Sequence, residues 1–405
     1  MTETKTALGH LRICDFTGQL AGAGATRWLA AFGAQVIRIE DPTNDGKWDI
    51  LRGSEPYVDE RRGIDFGGGF QNHNVEKLGI KLNLRTERGK QLLRELVRMS
   101  DVVTENYAAG VLDRWGFGYD QLKALREDII YVSNCGFGHV GPYASFRTWG
   151  PIVQACCGLT FSSGLPDMES AGWGFSFMDH HGGNFMAVAI LAALVHRQRT
   201  GEGQWVDMSC TEAGASMLGP AVLDYTVNGR PLRRPGMPNS NRSQFPRMAP
   251  HGIYPCAGED NWVAIAVRND DDWVALRTVM AFDDRDRFAD QDALDAEIAA
   301  WTHTRDKFAV SDELQSFAVP AAPVQKPPER IDHDANTAAW GLWPSVRHRA
   351  MGEVRVDGVP AHLSETDWHI EHGAPCLGQH NDDVYGGLLG LSATEIDALR
   401  ADGVI

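Results

Sequence analysis

The chain lacks any excess of positive charge. Thirty-eight Lys and Arg stand against 54 Asp and Glu, a formal net charge of −16, and no dense Lys/Arg run reverses that field locally. Such a field repels nucleic acid and anionic lipid surfaces, so neither is an expected partner, and a polyanionic ligand has to be held by local donors. A long apolar run is missing too. The longest aliphatic stretch, Met186 to Val195, is too short to span a bilayer, and the opening MTETKTALGHLR has no apolar leader core, so no membrane partner and a cytoplasmic location are expected. Paired cysteine spacing is absent as well. Cys14, Cys135, Cys156, Cys157, Cys210, Cys256 and Cys376 are odd in number, scattered and without a Cys-x-x-Cys pair, which argues against a disulfide framework and structural zinc. Cys156 and Cys157 lie in an apolar stretch where free cysteines act as small core residues more often than as nucleophiles. His180 and His181 are sequence neighbours that point to different faces, and no second Asp/His cluster completes a shell, so no metal is expected.

What is present is the balance of an ordinary globular protein, 43% hydrophobic and 23% charged, and 405 residues suggest two domains. Leu11 to Phe16 reads as a strand, Gly22 to Phe32 as a helix and Ala34 to Glu40 as a second strand. That βαβ unit implies a parallel sheet covered by helices. Thr86 is an N-cap for a helix through Met99, Val102 to Thr104 and Ile129 to Ser133 follow as strands, and a helix lies between them around Tyr119 to Arg126. From Asp179 a glycine-rich entry leads into a long apolar helix ending near Gly201, and Trp205 to Ser209 is a further strand. Asn228 to Pro250 is rich in Pro, Arg, Asn and Ser and marks a domain junction. Beyond it Trp262 to Val267 is a strand, Asp270 to Asp272 cap a helix beginning near Trp273, and VPAAPVQKPPER is a connector. Glu353 to Val356 can form a strand, and Ser392 with Glu395 gives a capping box for the last helix.

Several loops carry candidate chemistry. FTGQLAGAGA places small residues between a strand and a helix N-terminus, where backbone N–H groups favour an anion; tight helix–strand packing explains the same residues. A dinucleotide fingerprint is incomplete, because Arg27 stands where the third glycine belongs, so NAD is the weaker reading. ENYAAGVLDRWGFGYD offers Asn106, Tyr107 and Arg114 at the carboxyl end of a strand, and NCGFGHVGPY offers backbone donors at Gly136 and Gly138. Asp179 stands at the start of a buried helix, where the dipole should favour its carboxylate; Asp is also a favoured N-cap, and from the residues alone that is the stronger reading.

Taken together, DFTGQLAGAGATRWLAAFGAQVIRIE, ENYAAGVLDRWGF, GFGHVGPY, MDHHGGNFMAVAILAALVHRQRTGEGQWVDMS, NWVAIAVRNDDDW, VPAAPVQ and APCLGQHNDDV resemble the class III CoA-transferase family over nearly the whole chain. That family includes formyl-CoA transferase, carnitine CoA-transferase and α-methylacyl-CoA racemase. The resemblance implies an α/β fold: a large domain with a Rossmann-like parallel sheet made of both chain ends, and a smaller central α+β domain, in an interlocked ring dimer. The corresponding segments are 1–226, 227–330 and 331–405. CoA would lie near Gly18, Gln19, Leu20 and Ala21, near Leu82, Asn83, Leu84 and Arg85, near Asn106, Tyr107 and Ala108, and near Arg114. Asp179 falls on the family's catalytic aspartate, whose carboxylate would pass through a mixed anhydride and an aspartyl-CoA thioester. Gly136, Phe137, Gly138, Gly182 and Gly183 are oxyanion candidates, and Trp149 faces the substrate.

No permanently bound cofactor is implied; the CoA thioester is itself a substrate, and its partner is a small carboxylic acid. The expected assembly is a homodimer, with a heteromer of related subunits as the alternative. Two other activities remain open: an acyl-CoA racemase or isomerase, and an inactive partner subunit. The racemases carry a histidine base where this chain has Trp149, and a neutral indole takes no proton. Gly18, Leu20, Asp41 and Cys135 replace polar or basic residues of formyl-CoA transferase, and PNSNRSQFP (with Asn239 to Arg242) replaces its glycine-rich flap. Trp149, Trp173, Phe175 and Phe177 either line an apolar acyl pocket or belong to the core. A medium-sized, aromatic or dicarboxylic acid is the expected substrate.

Overall fold

The computed structural model describes residues 5–165, 168–174 and 176–405, so Phe175 lies outside the described residues. The chain divides into two compact units, one of 1–160, 172–222 and 337–405, the other of 161–171 and 223–336.

The first unit is built on six strands: β1 (Arg12–Phe16), β2 (Gln35–Glu40), β3 (Leu78–Lys81), β4 (Val102–Glu105), β5 (Ile130–Cys135) and β6 (Trp205–Ser209). They run in the order β3-β2-β1-β4-β5-β6, every neighbouring pair parallel. Successive residues face opposite sides of a sheet, so a sheet covered on both faces needs apolar residues at nearly every position. These strands supply them. Cys14, Ile37, Val103 and Tyr131 enter a core shared with Leu92, Leu96 and the C-terminal Val384, Tyr385 and Ile396. Their neighbours Ile13, Val36, Val102 and Ile130 enter a second core with Leu29 of helix α1 (Ala21–Ala31) and with Met186 and Ile190 of the Phe177–Thr200 helix. The C-terminal segment closes the β3 edge of this unit: Asn83 N donates to Val404 O (2.8 Å) and Tyr385 Oη to Lys81 O (2.6 Å). Strand order reverses between β1 and β4, which opens a crevice at their carboxyl ends.

Two helix starts differ from the sequence-based expectation. The long helix begins at Phe177, because Ser176 takes a left-handed conformation (φ 46°) at the N-cap; Asp179 therefore lies inside the first turn and is not a cap. In the second unit the Asp270–Met280 helix begins before Trp273, since the Asn269 side chain accepts from Asp272 N (2.9 Å) and takes the cap position, leaving three aspartates to favour the dipole. The Ser392–Glu395 capping box forms.

The second unit packs the Asp270–Met280, Gln291–Thr302 and Lys307–Ser316 helices on an antiparallel sheet of His251–Pro255, Trp262–Ala266 and Ala321–Pro323. Tyr254, Val263, Ile265, Trp273, Leu276 and Ile298 are in its core. The segment that replaces the glycine-rich flap is pinned within this unit, with Asn239 Nδ2 donating to Arg242 O (2.8 Å) and Arg242 paired to Asp295 (2.9 Å). Among the described residues no helix is long and apolar enough to cross a membrane.

Candidate active site

The loop after β1 is held by its neighbours. Arg38 Nη1 donates to Thr17 O (2.6 Å), Asn106 Oδ1 accepts from Gly18 N (2.8 Å), Asn106 Nδ2 donates to Gly18 O (3.0 Å), and Asp49 accepts from Gln19 N (3.0 Å). Gly18 is required there, because a Cβ would sit 2.0 Å from the Trp48 indole. Beneath the loop lies a buried charge network. Lys77 Nζ donates to Asp15 Oδ2 (3.2 Å) and Thr26 Oγ1 (2.7 Å), and Arg38 pairs with Asp49 at 2.8 Å. Burial pushes the Asp15 carboxyl up, but Lys77, Arg38 and Thr17 together outweigh it and hold the group below its ordinary range.

Asp179 has a different setting. A Cβ on Gly150 would lie 2.5 Å from Asp179 Oδ2, so the carboxylate packs against a bare α-carbon. Burial raises its carboxyl above the ordinary range, against the pull of a Ser176 side-chain hydrogen bond and of His180. The expectation that the helix N-terminus would dominate is thus reversed. A more basic carboxylate is also a better nucleophile once ionised.

Asp179 lines a cavity of about 350 Å³ together with Gln19, Leu20, Ala21, Asn106, Tyr107, Ala108, Gly136 and Trp149, and with Trp48, Phe146, Arg147 and Gly150. A second cavity of about 340 Å³ is lined by Leu82, Leu84, Arg85, Tyr107, Arg114, Trp115 and Lys90. Tyr107 borders both, and its ring stands edge-on between Trp48 (4.5 Å) and Trp115 (5.4 Å).

Other expected site residues lie outside these cavities or have their polar groups engaged elsewhere. Gly18 and Asn83 line neither; Asn83 instead donates to Gly403 O and accepts from Arg85 N, both at 3.0 Å, and so ties the chain's C-terminal turn to the loop after β3. Gly182 and Gly183 lie beyond the first turn of their helix, where its own carbonyls take their N–H groups, and are not free oxyanion donors. They serve close packing: a Cβ on Gly183 would meet Ala21 O at 2.7 Å, and one on Gly182 would meet Cys210 Sγ at 2.6 Å. The N–H groups of Phe137 and Gly138 are directed at the Cys135 thiol, which burial pushes up to about 11 and so keeps neutral. Gly136 presents its carbonyl, which accepts from Thr211 Oγ1 (2.7 Å).

A cluster beneath these loops left almost no mark on the sequence. Asp207 of β6 accepts from His139 N (2.9 Å) and faces the ring Nδ1 at 3.1 Å, while the buried Nε2 lies 3.7 Å from Glu105. Glu105 in turn accepts from Tyr107 N (2.6 Å) and Tyr131 Oη (3.2 Å). Burial raises the Glu105 carboxyl to about 8, opposed by those two hydrogen bonds. The loops after β4 and β5 are thereby joined through one imidazole. Only the sequence Glu-Asn-Tyr at a strand end hinted at it.

The α/β architecture agrees with comparisons to known proteins. Residues 8–381 match the model of CoA-transferase family III. The chain is 32% identical over 410 residues to a succinyl-CoA–D-citramalate CoA-transferase of Chloroflexus aurantiacus, covering 98% of each. It is 32% identical over 430 residues to a formyl-CoA:oxalate CoA-transferase of Streptomyces coelicolor, covering 99% of this chain and 100% of the relative. The crystal structure of a CAIB/BAIF family protein from Brucella suis matches with a TM-score of 0.84 at 29% identity, over 95% of this chain and 100% of that one. The chain belongs to CoA-transferase family III and is an enzyme of that family, whose substrate is a CoA thioester.

Proposed function

We propose that the chain transfers CoA between two carboxylic acids through Asp179, acting on a medium-sized acid. One observation carries the reading: the half-buried, proton-attracting carboxylate of Asp179 shares a cavity with three loops from the carboxyl edge of a doubly wound sheet. Its oxygen attacks the thioester carbonyl, the C–S bond breaks, and CoA leaves as thiolate from a mixed anhydride. The thiolate then attacks the aspartyl carbonyl, expelling the first acid as carboxylate. An incoming carboxylate attacks the resulting aspartyl-CoA thioester, and the thiolate finally attacks the new acyl carbonyl and frees Asp179. No proton or electron is gained or lost. The nucleotide end of CoA fits the second cavity, where Arg85, Lys90 and Arg114 offer cations for its phosphates, and the pantetheine arm passes Tyr107.

Walls formed by Trp48, Phe146 and Trp149 favour an acyl group larger than formyl. Trp149 also leaves the position of the racemases' base without a proton acceptor, which favours transfer over racemisation. A homodimer is supported by the Phe177–Thr200 helix. It buries Met186, Ile190 and Ala193 on one side and leaves Phe185, Val188, Leu191 and Val195 at least 40% exposed on the other. An apolar stripe of this kind is covered by a second copy in the ring-dimer reading.

The test is Asp179→Ala, assayed by mass spectrometry of acyl-CoA products, together with hydroxylamine trapping of the wild-type enzyme supplied with acyl-CoA. Loss of transfer in the variant and modification of Asp179 in the trapped enzyme are expected. Sustained turnover by pure Asp179→Ala overturns the mechanism.

A further inference from the structure

A third cavity of the first unit, of about 210 Å³, is lined by Glu76, Lys77 and Leu78, by Arg347 and Arg349, and by the 372–374 and Gln379–His380 segments. Leu78 opens β3, so this cavity lies at the amino end of that strand, away from the carboxyl edge that carries Asp179. Two of its side chains are held in a contact that needs a third party. Gly79 N donates to His380 Nδ1 (3.0 Å), so that nitrogen carries no proton and Nε2 carries the ring's only one. Gln379 Oε1 accepts from Cys376 N (3.0 Å), which turns the amide nitrogen toward His380. Gln379 Nε2 and His380 Nε2 then face each other at 3.3 Å, both as donors, and no described residue gives either an acceptor.

The charges around this pair have the same need. Arg347 and Arg349 are exposed, and their side chains have no hydrogen bond or ion pair to any described residue, in a chain whose net charge is −16. Burial chiefly holds His380 below its ordinary range, and the positive charges of His372 and Arg349 add to that against Asp383. The one carboxylate of the lining, Glu76, is engaged by the N–H groups of Glu371 and His372 and by His372 Nδ1. Lys77 Nζ is bound to Asp15 and Thr26.

We propose that this cavity binds a tetrahedral oxyanion of the phosphate type, free or at the end of a phosphate ester, with Gln379 Nε2, His380 Nε2, Arg347 and Arg349 as its donors. An acceptor oxygen set against the two facing N–H groups satisfies both. Four donor side chains suit an anion with oxygens on every side better than a planar carboxylate, and the guanidinium forks match its geometry. The volume is below that of pockets enclosing drug-sized ligands, so a small anion or one phosphate group is the occupant. Binding joins the segment before β3, the arginine pair and the C-terminal segment through one ligand, and it is independent of the CoA-transfer reading.

The experiment is calorimetry and thermal melting of the full chain with inorganic phosphate, glycerol 3-phosphate and acetate at constant ionic strength. Phosphate should bind and raise the melting temperature, and acetate should do neither. Arg349→Gln should weaken phosphate binding by about 10- to 100-fold, the loss expected for a charge-assisted hydrogen bond. Gln379→Glu keeps the acceptor for Cys376 N, offers one to His380 Nε2 and places a negative charge where the anion sits. It should abolish phosphate binding and raise the melting temperature of the anion-free protein. Equal affinity for glycerol 3-phosphate supports the site with an ester as its source, and exclusion of it supports the site with the free anion. Absence of phosphate binding, or acetate binding as tightly, overturns the proposal. So does phosphate binding that survives both variants and is lost in Arg114→Gln, which would place the anion in the cavity of Arg85 and Arg114.

Discussion

Asp15 and Asp179 lie at the same end of the sheet, and burial drives both toward the neutral acid. They end on opposite sides of the ordinary carboxylate range. Asp15 is fully enclosed yet held below that range, because Lys77 and Arg38 face it and Thr17, Thr26 and Thr104 donate hydrogen bonds to it. Asp179 is less deeply buried yet raised, because it has only Ser176 and the neighbouring His180 to counter its desolvation. The number of donors decides the direction, and depth does not. A fully satisfied carboxylate is inert scaffold; one left short of partners retains basicity to spend on a substrate.

The hardest blow to this contrast is Lys77→Met. Removing the cation leaves the buried Asp15 without its one direct ion pair, with only the more distant Arg38 and the threonine donors, and about 3–5 kcal/mol of stability should be lost, read as a lower denaturant midpoint. A loss under 1 kcal/mol would mean that Asp15 is not dependent on its cation. Next comes Gly150→Ala. Its methyl would press on Asp179 Oδ2 and displace the proposed nucleophile, lowering kcat by about 10- to 100-fold with a much smaller change in melting temperature. Normal kcat would show that the carboxylate works from another rotamer.

Glu105 extends the comparison to pH. Its folded-state pKa is raised to about 8 from an unfolded value of 4.5, so its favourable contribution is complete below pH 4.5 and is lost as pH rises toward and through 8. The lowered Asp15 behaves in the opposite sense: its contribution is present above pH 3.8 and disappears as the solution becomes more acid. Glu105→Gln should therefore flatten the fall in thermal stability between pH 5 and about 9, removing a slope of roughly 1.4 kcal/mol per pH unit at its steepest. An unaltered slope across that window would show that Glu105 titrates normally. The smallest effect on stability belongs to Asp179→Asn, which should change it by less than about 1 kcal/mol while abolishing transfer, since only the Ser176 hydrogen bond and His180 favour its charge and they do not outweigh its burial. Strong destabilisation would place Asp179 with Asp15 as scaffold.

The βαβ opening was legible because Ile13–Cys14 and Val36–Ile37 form short apolar runs separated by an alanine-rich helix. The three loops at the carboxyl ends of β1, β4 and β5 followed from the strands that feed them. Strand β3 left no comparable trace: Leu78–Lys81 is four residues long, contains a glycine and has no flanking turn signal. The start of the Asp179 helix was misplaced because a serine, not a glycine, adopts the left-handed cap. Glu105, His139 and Asp207 meet across 34 and 68 residues of chain, and no local pattern encodes such a meeting. The pKa directions of Asp15 and Asp179 were equally hidden, since they depend on how many donors the finished fold aims at each.

The aromatic row Trp48–Tyr107–Trp115 has a consequence for the chemistry that depends on length alone. Tyr107 is the common wall of the two cavities, so in the mechanism proposed above a CoA anchored by its nucleotide beyond the row would reach the reacting carbon on an arm that cannot drift away. When the C–S bond breaks, the sulfur is on a leash. Its local concentration at both carbonyls of the anhydride then far exceeds that of any free thiol or of the water available to hydrolyse it. On that reading the row acts as a fairlead, keeping the released thiolate on course while the nucleotide end stays bound.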